Sequence, residues 1–490
     1  MSLSDFQGPG DAAMGGSARA RPERPILLAS AIVVAALTLL VVLERLGAPA
    51  GALGLFAVAV PLVAVCALAF AGRSIDRAPF LTAGGAGGLA CGLALGAEWL
   101  GTAIPFLLLS PSPAFVSGGA FGLFAFTLAL ATGPRRMGAL TPAEFIGRRL
   151  ASVSLRLTTA FASLAVLAGL AAFQLVLMRT LLLTLVGDAA DTVLVAMAAL
   201  ASLTLVLGGQ RSLTLVCAFL GFFLGLAVVL PAAANVAGLS AFTGPLPVDR
   251  AFALVLPMGS DAALFLTAAL AALGAPVLVT RLAAARRGAT FHAGAWALLA
   301  AYVIAAAVTL AYGEANANES VVERLPTLGW LGAVWAGYAA TLFAFALTVG
   351  NDVTLARPQG AARRTDVAMA LTRITCVAAA ALVWLTVSGG WLGMSVAASG
   401  FAWSLTLASG VLAPTLAAGV WWRHASTASL LCAQAAGLAV AVSLMPALPA
   451  WAAPLGFLAA VAAAFTLGLL QPRRLRADPA LLATVRQPKG

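Results

Sequence analysis

The chain has 490 residues, 62% of them hydrophobic and only 9% charged, with a mean hydropathy of +1.02. Soluble domains average roughly 45–50% apolar and about 25% charged residues, so a soluble globular protein is excluded. Twenty-eight Lys and Arg against 17 Asp and Glu give a net charge of +11, and only the placement of those cations tells a nucleic-acid binder from a membrane protein.

A span needs about 20 mostly apolar residues to cross the hydrocarbon core. A polar tail, 1–25, leads into two such stretches, 26–46 and 51–72 (domain 26–72). Five follow at 81–108, 112–133, 155–185, 190–208 and 212–236, forming a first set, 81–236. A second set, 256–421, comprises 256–281, 290–312, 328–350, 366–390 and 394–421. Two further spans, 427–446 and 450–471 (domain 427–471), precede a second polar tail, 472–490. The expectation is an all-α integral membrane protein of about 14 transmembrane helices. The first span, behind its polar leader, reads as a retained helix and not as a signal peptide.

With the N-terminus inside, 23 of the 28 Lys and Arg fall on cytoplasmic segments. Arg45, Arg250 and Arg324 fall outside, and Arg179 and Arg373 lie within spans. This is the positive-inside bias. The basic charge therefore reports topology and contact with anionic lipid, with no nucleic-acid partner required. The expected location is the bacterial inner membrane, with both termini cytoplasmic.

Enzyme chemistry finds little support. Cys66, Cys91, Cys217, Cys376 and Cys432 all sit in spans and read as small packing residues. His292 and His424 cannot form a metal cluster alone. A P-loop needs a lysine to reach the phosphates, and the single lysine is Lys489 in the tail. The expected cofactor set is empty, apart from a coupled Na+ or proton.

Charge changes sign between corresponding loops of the two sets. Gly133–Ser154, after the second helix of the first set, carries Arg135, Arg136, Arg148 and Arg149. Tyr312–Thr327, its counterpart, carries Glu314, Glu319, Glu323 and only Arg324. Five is an odd number, so the second set starts from the opposite face and the two form an inverted five-plus-five repeat. Carriers with such repeats bind solute near mid-membrane, where the first helix of each half is interrupted. Ala83–Gly88 offers a small surface for close helix packing. Glu98, Gly101 and Pro105 then suggest one interruption, with the Gly101 carbonyl freed by Pro105, and Gly274-Ala275-Pro276 suggests the other.

These residues resemble the sodium:solute symporter family, in particular its cation/acetate symporter branch. The resemblance runs through Gly72-Arg73-Ser74, Gly87-Gly88-Leu89-Ala90, Ala97-Glu98-Trp99 and Arg135-Arg136-Met137-Gly138-Ala139-Leu140-Thr141-Pro142-Ala143-Glu144-Phe145. It continues at Gln174, Gly208-Gly209, Gly274-Ala275-Pro276 with Arg281, Asn351-Asp352, Pro414 and Trp421-Trp422. It implies a leucine-transporter-type fold with extra helices at both ends, importing a small solute, plausibly a monocarboxylate such as acetate, with a cation. The implied cation-coupling residues are Glu98, Ala97, Gly101, Ala333, Ala336 and Gly337; the implied solute-binding residues are Thr102, Pro105, Gln174, Gly274 and Pro276. Asp352 with Arg357 forms the expected cytoplasmic gate.

Two departures matter. Glu98 stands where the family carries an Asp, and Ala336 and Gly337, with Ala333 a turn earlier, stand where it carries hydroxyls for a second sodium. That weakens the case for sodium and leaves Glu98, with backbone carbonyls, to hold either a cation or a proton. Asp261 is a rim or site residue; Arg179 snorkels or attracts an anionic solute; Trp99, Phe106 and Trp335 are candidate cavity walls. The alternatives to a cation-coupled symporter are a transport-inactive sensor or scaffold, or an amino-acid permease of the same fold.

Overall fold

The computed structural model of the chain describes residues 23–82, 87–108, 113–236, 260–283, 289–311, 325–354, 361–391 and 393–470. Every regular element among them is helical. In order they are α1 (Glu23–Arg45), α2 (Ala50–Ala71), α3 (Arg77–Thr82), α4 (Gly88–Leu108), α5 (Pro113–Ala125), α6 (Thr132–Arg136), α7 (Pro142–Arg149), α8 (Val153–Val186) and α9 (Ala190–Val236). There follow α10 (Asp261–Gly274), α11 (Pro276–Ala283), α12 (Ala289–Ala311), α13 (Leu325–Leu347), α14 (Ala361–Ser388), α15 (Met394–Leu407), α16 (Ala413–Trp421), α17 (Thr427–Leu444) and α18 (Pro449–Leu470). Widened π turns follow α5, α13 and α15, at Phe126–Leu130, Thr348–Val353 and Ala408–Leu412.

Nine helices among the described residues are long and apolar enough to cross a membrane, and the bent pair α10–α11 would be a tenth. One of the nine, Val153–Val229, is 77 residues long, far beyond a single crossing. It leaves helical geometry at Gly187 (φ 55°) and again inside α9 at Gly209 (φ 53°). Gly209 divides α9 into 190–208 and 210–236. Glycine is needed there twice over, since φ is left-handed and a Cβ would meet the Phe80 carbonyl.

Glycines also set the helix contacts. Gly92 and Gly96 of α4 lie against Trp296, Ala293 and Ala300 of α12, while Gly118 and Gly122 of α5 lie against Phe265 and Ala269 of α10. The first helix of each set thus packs along the second helix of the other, with small residues letting the backbones approach. The same reciprocity holds elsewhere. Phe173 of α8 stacks on Phe401 of α15 at 4.1 Å, and Gly329 and Gly332 of α13 meet Ala227, Leu224, Leu220 and Phe223 of α9.

At the centre stands α13, buried at every position except Leu325 and Phe345. The peripheral helices expose Leu27, Ile32, Ile374, Leu382 and Trp384, the apolar coat of a helix facing lipid.

One expected interruption is present and one is not. α10 and α11 meet at Gly274–Pro276 with a bend of 48°. α4, by contrast, stays helical through Gly101 and Pro105 to Leu108. The physical reason lies at Gly101: the Ala333 carbonyl occupies the space a Cβ would need, so this glycine serves close packing on α13 and not unwinding. A proline within a membrane helix bends or strains it without having to break it. Ala83–Ala86, most of the small-residue stretch before α4, and the acidic loop 312–324 lie outside the described residues.

Gly209→Ala should destabilise the purified protein by about 1–3 kcal/mol, the cost of forcing a side chain into that backbone region. Gly225, inside a regular helix with nothing within 4 Å of its would-be Cβ, is the control: Gly225→Ala should be neutral or slightly stabilising. Thermal unfolding in detergent compares the two, and equal midpoints would contradict the special role of Gly209.

Candidate functional site

Glu98 sits in the middle of α4, with its side chain 6% exposed. The side chain of Arg281, 5% exposed, reaches it from α11 and forms a direct ion pair through Nη2 and Oε1. The bend at Gly274–Pro276 aims this arginine, which stands five residues beyond the proline. Arg281 Nη1 also donates to Thr214 Oγ1 of α9 at 3.1 Å. Arg281 Nε and Glu98 Oε2 have no hydrogen-bond partner although both are buried.

One turn along α4, Thr102 donates to the Glu98 carbonyl at 3.2 Å and accepts from Gln174 Nε2 of α8 at 3.4 Å. Gln174 Oε1 is buried and unpartnered. Cys217 of α9 donates through its thiol to the Ala336 carbonyl at 3.7 Å. A Cβ on Gly337 would lie 2.7 Å from Gln174 Nε2 and 3.2 Å from the Glu98 carbonyl.

Of the implied cation-coupling residues, Gly101 meets Ala333 and Gly337 meets the Glu98 backbone along the α4–α13 contact, while Ala336 turns its carbonyl to Cys217 of α9. Ala97 is buried beside them but turns toward α9, next to Gly221. Of the implied solute-binding residues, Thr102 and Gln174 share one hydrogen bond at this centre. Gly274 packs against Ala408 and Ala413, away from it, and Pro276 starts α11. Nothing is described of the Pro105 or Phe106 side chains.

The side chains gathered here are poor in oxygens for a sodium ion. A hard cation takes several oxygen ligands, yet Ala333, Ala336 and Gly337 offer no side-chain oxygen. Of the nearby carbonyls, those of Glu98 and Ala336 already accept hydrogen bonds, and that of Ala333 is packed on Gly101. Glu98 itself is engaged by a guanidinium.

Three site residues were not singled out from sequence in this role: Arg281, Thr214 and Cys217. With Gln210 and Gly221 the last two follow the spacing i, i+4, i+7, i+11, one face of the second half of α9. That polar stripe in an apolar span was the available signal.

A second polar cluster lies at the end of the bundle where α8 begins. Asp352, fully buried, accepts from Arg156 Nε at 3.0 Å and Nη2 at 2.8 Å. It also accepts from Thr141 Oγ1 at 2.5 Å and Asn351 Nδ2 at 3.3 Å. Arg156 further donates to the Asn351 carbonyl at 2.8 Å. Thr141 caps α7, accepting from the Glu144 backbone N–H at 3.1 Å, while Glu144 Oε2 accepts from the Leu140 N–H at 2.9 Å. Glu144 also pairs with Arg148 at 2.5 Å. Of the two residues of the expected gate, only Asp352 is described. Asp352 is held by Arg156, 196 positions away, which arrives on a neighbouring helix; Arg357 lies outside the described residues.

Arg179 bridges to Asp191 at 2.6 and 3.1 Å between α8 and the start of α9, half-exposed. Asp261 stands exposed at the first residue of α10, on the rim. Trp99 stacks on Phe115 and lies against Gly119 of α5, a packing role. Trp335 donates to the Met197 carbonyl at 3.0 Å and lines an apolar cavity of about 20 Å³ with Val58, Pro61, Leu220 and Phe223, apart from Glu98.

Removing one partner of a buried ion pair leaves an uncompensated charge and costs about 3–5 kcal/mol. Arg156→Ala should therefore destabilise the protein strongly. Arg156→Ala combined with Asp352→Ala should cost clearly less than the two single changes added together. Additive losses in thermal unfolding would mean that the two side chains do not act as a pair.

No family model matches the chain, and no curated protein does. Among solved structures it is similar to a Na+-coupled sialic acid symporter in a substrate-bound, outward-open state, with a TM-score of 0.63 and 13% identity. The similarity covers 86% of this chain and 97% of that one. At such low identity the likeness concerns the fold alone: this chain is a multi-pass membrane protein, helical in every regular element of its described residues, with a helix arrangement similar to that of a membrane symporter.

Proposed function

We propose that the chain is a secondary active transporter, carrying a small solute together with a cation across a bacterial inner membrane. The carrying observation is the charged cluster of Glu98, Arg281, Thr102 and Gln174, buried where helices of both five-helix sets meet. Charged groups at membrane depth are costly and mark solute or ion pathways. The reciprocal glycine contacts of α4 with α12 and α5 with α10 support reading the two sets as an inverted repeat, 81–236 and 256–421.

The solute class is a monocarboxylate such as acetate, in keeping with the resemblance through Gly87–Ala90, Arg135–Phe145 and Gly274–Pro276 to the cation/acetate branch of the sodium:solute symporter family. The coupling ion is the proton. Glu98 can lose or gain one, whereas the donor set around it is poor in oxygens for a metal cation. A carrier needs two states that its ligands bias differently, and the protonation of one buried acid supplies such a pair.

In proteoliposomes, an imposed inward proton gradient should drive accumulation of radiolabelled acetate, and a sodium gradient at fixed pH should not. Glu98→Gln should abolish accumulation while leaving acetate counterflow. Full accumulation by this variant would make Glu98 a structural carboxyl. The poverty of oxygen at Ala333, Ala336 and Gly337 also favours a second reading, a sensor or scaffold that has lost transport. That reading gains if wild-type protein catalyses neither accumulation nor counterflow across a panel of small carboxylates.

Both termini are proposed to be cytoplasmic, because 22 of 28 cations, Arg281 of the buried pair left out, then fall on cytoplasmic segments and three outside. A C-terminal alkaline phosphatase fusion should be inactive and a C-terminal green fluorescent protein fusion bright; the opposite pattern would invert the topology.

A further inference from the structure

We infer that Arg281 is a resident cation: its guanidinium stands in the place a bound metal ion would take beside Glu98, and this position binds sodium only when Arg281 is removed. The inference extends the carrier reading, but its test measures binding and does not depend on transport.

Three observations support it. The first is charge. Both side chains are buried, at 6% and 5% exposure, and one carboxylate needs one positive partner. Arg281 supplies it. A sodium ion entering beside the pair would add a second positive charge a few ångströms from the guanidinium, and like charges so close in a poorly screened interior repel strongly.

The second is the ligand census. While Arg281 is present, Glu98 Oε1 and Thr214 Oγ1 are both taken by its nitrogens. The facing helix α13 contributes methyl groups and a glycine. Truncating Arg281 releases Glu98 Oε1 and Thr214 Oγ1, and Glu98 Oε2 is already unpartnered. Those three oxygens, in the volume vacated by the guanidinium, make the beginning of an oxygen site for a hard cation.

The third is the tether. Arg281 belongs to α11, which the Gly274–Pro276 break sets at 48° to α10. A diffusing ion couples to helix position through its occupancy. A guanidinium fixed to the short helix is always present, and its pairing with Glu98 reports only where α11 stands relative to α4. The break and the charge belong to one device.

The test is equilibrium binding of ²²Na+ to the purified full-length protein in lipid nanodiscs, with choline replacing sodium in the background. Wild type should show no saturable binding that Glu98→Gln removes. Arg281→Ala should bind ²²Na+ saturably, at least about tenfold above wild type, a ratio well outside assay scatter. Arg281→Ala combined with Glu98→Gln should lose that binding, and Arg281→Lys, which keeps a tethered charge, should never show it.

Saturable wild-type binding abolished by Glu98→Gln would overturn the inference. So would a monodisperse Arg281→Ala protein, with a wild-type-like elution profile, that binds no sodium. If Arg281→Ala does not fold, Arg281→Gln, which removes the charge but keeps a donor, takes its place under the same two outcomes. Absence of acetate transport would count against the carrier reading alone and leave this result standing.

Discussion

A carboxylate and a guanidinium placed together in a membrane interior constrain everything around them. Neither charge is tolerable there alone, so the helices that bring Glu98 and Arg281 together cannot drift apart without exposing one to a low-dielectric surrounding. The packing near the pair follows from that demand. α4 lies close enough to α13 that Gly101 has no room for a Cβ against the Ala333 carbonyl. Thr214 takes up a second guanidinium nitrogen from α9. The kink before Pro276 turns a helix end inward so that a long, flexible side chain arrives at mid-bundle. Gly337, which from sequence looks like a lost hydroxyl, gains a positive meaning: a side chain there would collide with the Gln174 amide.

The Arg156–Asp352 cluster answers the same electrostatic demand in a different way. The central pair leaves two polar atoms unsatisfied, whereas Asp352 receives hydrogen bonds from Arg156, Thr141 and Asn351. Thr141 is at once the cap of α7 and a donor to Asp352, so the loop between the second and third helices of the first set is latched to the third helix of the second set. A nearly saturated network suits a fixed strut. An undersaturated pair suits a place where partners exchange, and this contrast separates the two clusters more clearly than burial, which they share.

How much of this was legible in sequence depended on the range of each interaction. Apolar runs and loop charge are local, and they gave the helical membrane class and the general positions of the helices. The Gly274–Pro276 break was legible because two backbone-active residues flank a single position. The same logic failed at Gly101 and Pro105, where the glycine answers to Ala333, more than 200 residues away and invisible to any local pattern. Asp352 was readable as a gate residue at the end of its span, but Arg156, which the fold brings to it from 196 positions away, left no mark in the local pattern. Glu98 stood out as an acid in an apolar run. Its partner did not, since Arg281 at the end of a span reads as an ordinary topology-setting cation until the bend turns it inward.

The widened turn at Thr348–Val353 has a consequence for how this sequence can change. A π turn accommodates one residue more than the α-helix it interrupts, and each residue of an α-helix turns the chain by about 100°, at 3.6 residues per turn. The residues after Leu347 are therefore set back around the axis, by up to one residue's step, from where an unbroken helix would carry them, and Asn351 and Asp352 meet Arg156 in that shifted register. A chain shortened by one residue in this turn would thread a smoother helix and still turn the acid away from its arginine. Insertions and deletions here act as rotations, so this short stretch is bound to a fixed length even where its side chains are free to vary.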